Sequence, residues 1–178
     1  MVDTNQSLEQ TLSSAKLGET DDEFRVNRLS EIQAVSQQMF SQAKRQVDIF
    51  SVDLDPRVLS QRSIEQTLAK LARSSRQSTI RLLIFDVLSL QSIDHRLVDL
   101  SQNLSSYVSI KVLANDYQHL PYNYYLVDDA GLMYRSNHKE LETQVSFNAK
   151  LKVREYRKQF NDMWEQSRIA SEFRNLSI

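Results

Sequence analysis

Apolar positions along the chain fall into two alternating rhythms. Ile32, Val35, Met39, Phe40 and Ala43 recur at helical spacing and predict a helix from Ser30 to about Lys44. Ser30 to Gln33 has the spacing of a capping box at its start. Gln46 to Leu54, QVDIFSVDL, then reads as a strand. Val47, Ile49, Ser51 and Asp53 share one of its faces, and Asp48, Phe50, Val52 and Leu54 the other. Neither face is cleanly polar, which predicts an inner strand of a mixed sheet. A second helix opens near Ser63 and turns Ile64, Leu68, Leu71 and Ala72 inward, and its basic last turn complements the helix dipole. Thr79 to Leu88, TIRLLIFDVL, is the strongest strand, continuously apolar over Leu82 to Phe85. A third helix, Ile93 to Leu104, buries Ile93, Leu97, Leu100 and Leu104; Tyr107 to Leu113 is a strand after it.

Asn123 to Val127 and Leu132 to Tyr134 form a hairpin around the turn Asp128-Asp129-Ala130-Gly131, with Gly131 as the residue able to take positive φ. HKELETQV reads as a loop. A long helix from Ala149 to Gln166 then presents Val153, Tyr156, Phe160, Met163 and Trp164 as its inward stripe. Phe24 to Val26 is a short edge strand. Residues 1–22 lack a sustained period and read as a flexible tail before one domain over 23–178. Phe173, Leu176 and Ile178 near the end are expected to pack back onto the body. Strand–helix–strand repeats call for parallel pairing, and the late hairpin for antiparallel pairing, so the expected class is α/β with one mixed sheet flanked by helices.

Composition removes several functions. The net charge of −1 gives no global field for nucleic acid or anionic membrane, so such binding needs a local patch. The absence of cysteine removes disulfides, thiolate metal sites and a thiol nucleophile. With 2 Gly and 2 Pro, glycine-rich phosphate loops are missing. MVDTNQSLEQ has no signal-peptide pattern, and no apolar run is long enough for a bilayer, which gives a cytoplasmic expectation without membrane partners.

The element order and the hairpin's spacing resemble one half of a phospholipase D superfamily protein. That family carries His-x-Lys-x-x-x-x-Asp on the first hairpin strand, then Gly-Ser-x-Asn, then a helix ending in Phe and Trp. With its Asp aligned on Asp128, Pro121 stands at the nucleophilic His and Asn123 at the Lys; Arg135-Ser136 falls on Gly-Ser and His138 on the Asn, with Asn137 one residue early. Phe160 and Trp164 fit the final helix. Asp53-Leu54-Asp55-Pro56, Asp86, His95 to Leu100, Tyr134-Arg135 and the Phe-Arg-Asn-Leu ending resemble a little-characterised bacterial branch, found alone or joined to N-acetyltransferase domains; no such domain is expected upstream of Ser30.

In the resembled family one His attacks phosphorus and the other protonates the leaving group, so the chemistry needs a nucleophilic imidazole and cations on the phosphate. Pro121 and Asn123 supply neither, and a homodimer would pair two deficient halves. The resemblance therefore implies a catalytically inactive binding module with no catalytic residue, metal or cofactor, working as a homodimer on a protein or small anionic ligand. Its pocket is expected to involve Asn123, Asp128, Arg135, Ser136, His119 and Asp86. Arg135 could hold an anion or bridge to Asp128 or Asp86. The alternatives are a divergent phosphodiesterase or nuclease-like enzyme using Arg135, His119 and the carboxylates Asp53, Asp55, Asp86 and Asp128, or a nucleic-acid-binding module using the basic run Lys150 to Lys158. Locally, Asp55 before Pro56 reads as a helix cap, Asp128 as a turn residue, and His95 as a helix-surface hydrogen-bonding group.

Overall fold

β2 (Gln46–Phe50) is an inner strand, as its two mixed faces require. The computed structural model describes residues 4–173. In it β2 pairs in parallel with β3 (Thr79–Ile84), and β3 with β4 (Val108–Val112). On its other side β2 meets β5 (Asn123–Val127) antiparallel. β5 turns into β6 (Gly131–Arg135), which pairs with β7 (Thr143–Ser146), and β7 with the edge strand β1 (Glu23–Val26). A two-residue strand, β8 (Arg168–Ile169), closes the far edge against β4. The eight strands run β1-β7-β6-β5-β2-β3-β4-β8.

Helices cover both faces. The helices α2 (Leu29–Ser41), α4 (Arg62–Ser74) and α6 (Arg96–Asn103) pack on the face that carries Val47, Ile49, Leu82, Tyr125 and Met133. The other face, carrying Phe50, Leu83, Tyr124, Leu126 and Leu132, is covered by α7 (Lys150–Gln166) through Val153, Phe160 and Met163. Period-2 alternation thus sends Val47 and Ile49 one way and Asp48 and Phe50 the other. The short helices α3 (Pro56–Leu59) and α5 (Val87–Gln91) follow the C-terminal ends of β2 and β3.

Several expectations change. The expected tail over 1–22 carries α1 (Thr4–Ser14), and Leu12 and Ala15 are buried in the core. Leu17 N–H donates to Gln42 Oε1 at 2.7 Å and Gly18 N–H to the Phe147 carbonyl, so tertiary partners fix a stretch that has no period of its own. The loop expected over 138–145 contains β7, whose Thr143 and Val145 face inward among polar neighbours. The third helix starts at Arg96, and Ile93 is exposed. Phe173 is buried, whereas Leu176 and Ile178 lie outside the described residues.

The hairpin turn also differs. The positive φ falls on Asp128, at 47°, and not on Gly131. Asp128 tolerates this conformation because its carboxylate accepts from the N–H groups of Lys44, Arg45 and Gln46 at 2.8–2.9 Å, tying the turn to the start of β2. Gly131 is needed for space: a Cβ there would meet Leu17 Cδ1 at 2.8 Å and Met39 Sδ at 2.9 Å. Gly131→Ala is therefore expected to destabilise the fold by about 1–3 kcal/mol, read from the urea unfolding midpoint.

Candidate functional site

The residues expected around the hairpin pocket belong to different places in the structure. Asn123 and Arg135 face each other in the β5–β6 register, and both are buried. Asp128 lies at the opposite end of β5, held by the N–H groups before β2. Asp86 caps α5, accepting from Ser89 N–H at 3.0 Å and from its hydroxyl. Ser136 is exposed after β6. His119 is exposed in the loop after the 3-10 turn Asn115–Tyr117. His138 donates from Nδ1 to the Pro121 carbonyl at 3.0 Å, which also accepts the His138 N–H. Among the described residues, none of Asp86, Asp128, His119 and Ser136 shares a hydrogen bond with Arg135.

The partner of Arg135 is Asp55. Arg135 Nη1 donates to Asp55 Oδ2 at 2.9 Å, and Arg57 grips the same carboxylate with Nε and Nη2 at 3.0 and 3.1 Å. Asp55 precedes Pro56 at the start of α3, as a cap should, yet its carboxylate goes to the two guanidiniums and makes no capping bond. Burial by itself would raise the Asp55 pKa. The hydrogen bonds from Arg57 and then Arg135, with their charge, outweigh it and hold the carboxyl below the usual range. Arg135 is 4% exposed and Arg57 about half exposed, so the pair that matters energetically is Asp55–Arg135.

The segment leading to Asp55 is bent and over-determined. Leu54 has φ 56°, a left-handed conformation that a non-glycine residue rarely takes. Four contacts fix it. Asn123 Oδ1 accepts from Val52 N–H at 3.1 Å, Ser51 Oγ from Leu54 N–H, and Asp53 Oδ1 from Asp55 N–H. His95 Nε2 donates to the Leu54 carbonyl at 3.0 Å. Asn123 thus serves as a clamp on the end of β2.

His95 is a buried N-cap and not a surface group. Its Nδ1 accepts from Leu97 N–H at 3.1 Å, so the proton sits on Nε2. Burial pushes its pKa down, ahead of opposing contributions from the Leu54 carbonyl and Asp53. The folded protein therefore resists protonating His95 while the unfolded chain does not. Stability from this group is complete above the unfolded value of about 6.5 and is lost as pH falls below it. The urea midpoint of the native protein should fall between about pH 7.5 and about pH 5.5, and His95→Gln should flatten that slope.

Little space is left beside Asn123. The void lined by Asn123, Tyr125, Met133, Arg135 and Thr143 measures about 10 Å³, about the size of one water molecule. A wider cleft of about 600 Å³ lies beyond the C-terminal ends of β3 and β4, where open α/β sheets usually bind ligands. Its charged side chains are mutually satisfied: Arg168 grips Glu172, and Asp86 holds Ser89. No cluster of three or more His, Asp or Glu able to hold a metal occurs among the described residues.

Composition and motif reading also missed Asp48. It is fully buried beneath α7, where Arg81 binds it through two bonds at 2.7 and 2.8 Å and Arg157 adds Nε at 3.0 Å. Arg81 also stacks on Phe160, 4.8 Å from the ring centre. The available signal was a lone acid at an inward position of an inner strand, which demands a cation from another element.

Solved structures share the fold. Nuc from Salmonella typhimurium, a phospholipase D family member, superposes with TM-score 0.62 at 13% identity, covering 83% of this chain and 97% of that one. NucT from Helicobacter pylori gives 0.59 at 12% identity over 83% and 98%. TrmBL2, an archaeal chromatin protein with a novel mode of DNA binding, gives 0.62 at 12% identity; the match covers 93% of this chain and 61% of that one. The fold is phospholipase D-like, with a large mixed sheet flanked by helices. Residues 28–176 match the family model of a domain of unknown function, DUF7931, and the chain belongs to that family. No curated protein matches the chain. No helix among the described residues is long and apolar enough to cross a membrane.

Proposed function

We propose that this protein is a catalytically inactive phospholipase D-like domain that acts by binding, as a homodimer in the bacterial cytoplasm. The observation that carries this reading is the fate of the hairpin pocket. Pro121 and Asn123 stand at the positions aligned with the resembled family's His and Lys, Asn123 is spent on Val52, and Arg135, bound to Asp55, leaves beside Asn123 a void of about 10 Å³. Phosphoryl transfer needs a nucleophile and cations free to receive the phosphate. Here the buried cation already holds an internal carboxylate.

The divergent-enzyme reading requires Arg135, His119 and the strand-end carboxylates to converge in one cleft. Arg135 meets Asp55 alone of these, so the geometry favours the inactive reading. Purified protein is expected to show no hydrolysis of bis(p-nitrophenyl) phosphate or of plasmid DNA above a buffer blank. Turnover that vanishes in Arg135→Ala or His119→Ala would overturn this reading. Light scattering at twice the monomer mass is the result expected for the homodimer.

A further inference from the structure

At the end of the sheet opposite that pocket, cations from three separate elements come together. Lys44 and Arg45 form the turn into β2, and their N–H groups bind Asp128, which leaves both side chains exposed. Arg76 lies in the exposed turn before β3; the Arg45 carbonyl accepts the Thr79 N–H at 2.9 Å, so the two turns adjoin. The start of α7 reaches the same end, because Ala149 N–H donates to the Ala130 carbonyl just past the Asp128 turn. From there Lys150, Arg154 and Lys158 follow one another at four-residue spacing, about 6 Å per step along the helix. They line a groove of about 730 Å³ with Arg157, Asn161 and the exposed acids Asp129 and Asp162.

These cations differ from several others among the described residues. Arg57, Arg81, Arg96, Arg135, Lys152 and Arg168 are each engaged by a carboxylate. Lys44, Arg45, Arg76, Lys150, Arg154 and Lys158 have no ion-pair partner among the described residues. Within the same groove Arg157 carries a buried Nη2 without an acceptor, although its other nitrogens hold Asp48 and the Asp128 carbonyl. Six cations without an ion pair are thus gathered at one end of a chain whose net charge is −1, although Arg62, Lys70, Arg73, Lys111 and Lys139 also have none among the described residues. This is the local patch that composition alone could not supply.

We propose that this end of the sheet, with the adjoining face of α7, binds the phosphate backbone of a nucleic acid. A single small anion would need convergent donors in a closed site, whereas these cations are strung along a groove at repeated intervals. A bilayer is flat; Val153, which lines the groove, is buried, and Leu151 beside Lys150 is a single exposed apolar side chain, too little for an interfacial anchor. A polyanion whose charges repeat along a flexible strand fits both the shape and the spacing. The site is remote from the Asn123 pocket and does not depend on that pocket's inactivity.

Fluorescence anisotropy with labelled single-stranded and duplex DNA and single-stranded RNA, each about 20 nucleotides long, tests this at about 50 mM and about 200 mM salt. The expected result is binding that weakens steeply with salt. Arg154→Glu with Lys158→Glu, and Lys44→Glu with Arg45→Glu, should each weaken it at least about tenfold and lower the salt slope by about two. Lys139→Glu, an exposed cation outside this end, should leave it unchanged. All changed side chains are exposed, and an unaltered unfolding midpoint checks that each variant folds. Absence of binding at low salt, or binding that both double variants retain, overturns the proposal. Equal binding to phosphatidylserine vesicles, lost in the same variants, overturns it in favour of a membrane surface. A phosphodiesterase assay on the same samples reports separately on the pocket.

Discussion

Asp48→Ala is expected to destabilise the protein by about 3–5 kcal/mol. The carboxylate is fully buried and is the acceptor for two guanidiniums, each largely buried beneath α7. Its removal leaves Arg81 and Arg157 charged in a low-dielectric layer between sheet and helix. Arg81 keeps Asn161 and the Phe160 ring, which are neutral, and Arg157 keeps the Asp128 carbonyl and a 3.4 Å contact to Asp129, an exposed carboxylate that solvent screens. Urea unfolding measures the loss as a lower midpoint at an unchanged m-value. A triple variant, Asp48→Leu with Arg81→Met and Arg157→Met, should lie closer to the native protein than Asp48→Ala does, because it removes the orphaned charges together with their partner. If the single and triple variants are equally destabilised, lost packing and not uncompensated charge accounts for the effect.

Asp55→Ala is the second. It strands Arg135, which is 4% exposed, and loosens the bend at Leu54, so a loss of about 3–5 kcal/mol is expected. Arg135→Ala should cost less, because Asp55 keeps the bidentate grip of Arg57. This asymmetry is the test: an ordinary isolated pair would respond about equally to loss of either partner. The pH dependence has a definite sign. The Asp55 pKa is lowered in the folded state, so its contribution is complete above the unfolded value of about 3.9 and is lost as pH falls through the lower folded value. Acid unfolding below about pH 4 should therefore shift to higher pH in Arg135→Ala, measured by far-UV circular dichroism. His95 acts in a separate window nearer neutrality, so the two slopes can be read apart.

Closure of the pocket and the strain at its rim belong together. Residues held in left-handed or bridge conformations persist when surrounding contacts over-determine them, and such places cluster at functional sites. Around Leu54 those contacts come from β5, from the start of α6 and from the bent segment itself. The polar side chains at this end are turned inward to hold the backbone. At the opposite end Lys44, Arg45, Arg76 and Lys150 are exposed and have no ion-pair partner among the described residues.

Much of this architecture was legible in the chain. Period-2 alternation over Gln46 to Phe50 set the inner strand and both its faces, although the strand stops there and Leu54 packs with Val47 and Ile49, and the stripe Val153, Phe160, Met163 set the helix that covers one face. These features are local: a strand or helix repeats its geometry every few residues, so apolar positions record which side is buried. What the sequence could not carry was the choice of partner. Asp55 fits a helix cap by every local rule, and only the fold brings Arg135 to it from 80 residues away. Asp48 meets Arg157 across 109 residues, and the turn expected of Gly131 falls on Asp128 because the start of β2 lies against it. Leu12 is buried in a stretch without a period because Gln42 and Phe147 hold the segment after it. A charged side chain is satisfied by whichever opposite charge the folded chain delivers, and pairwise delivery over such separations leaves no periodic trace in the sequence.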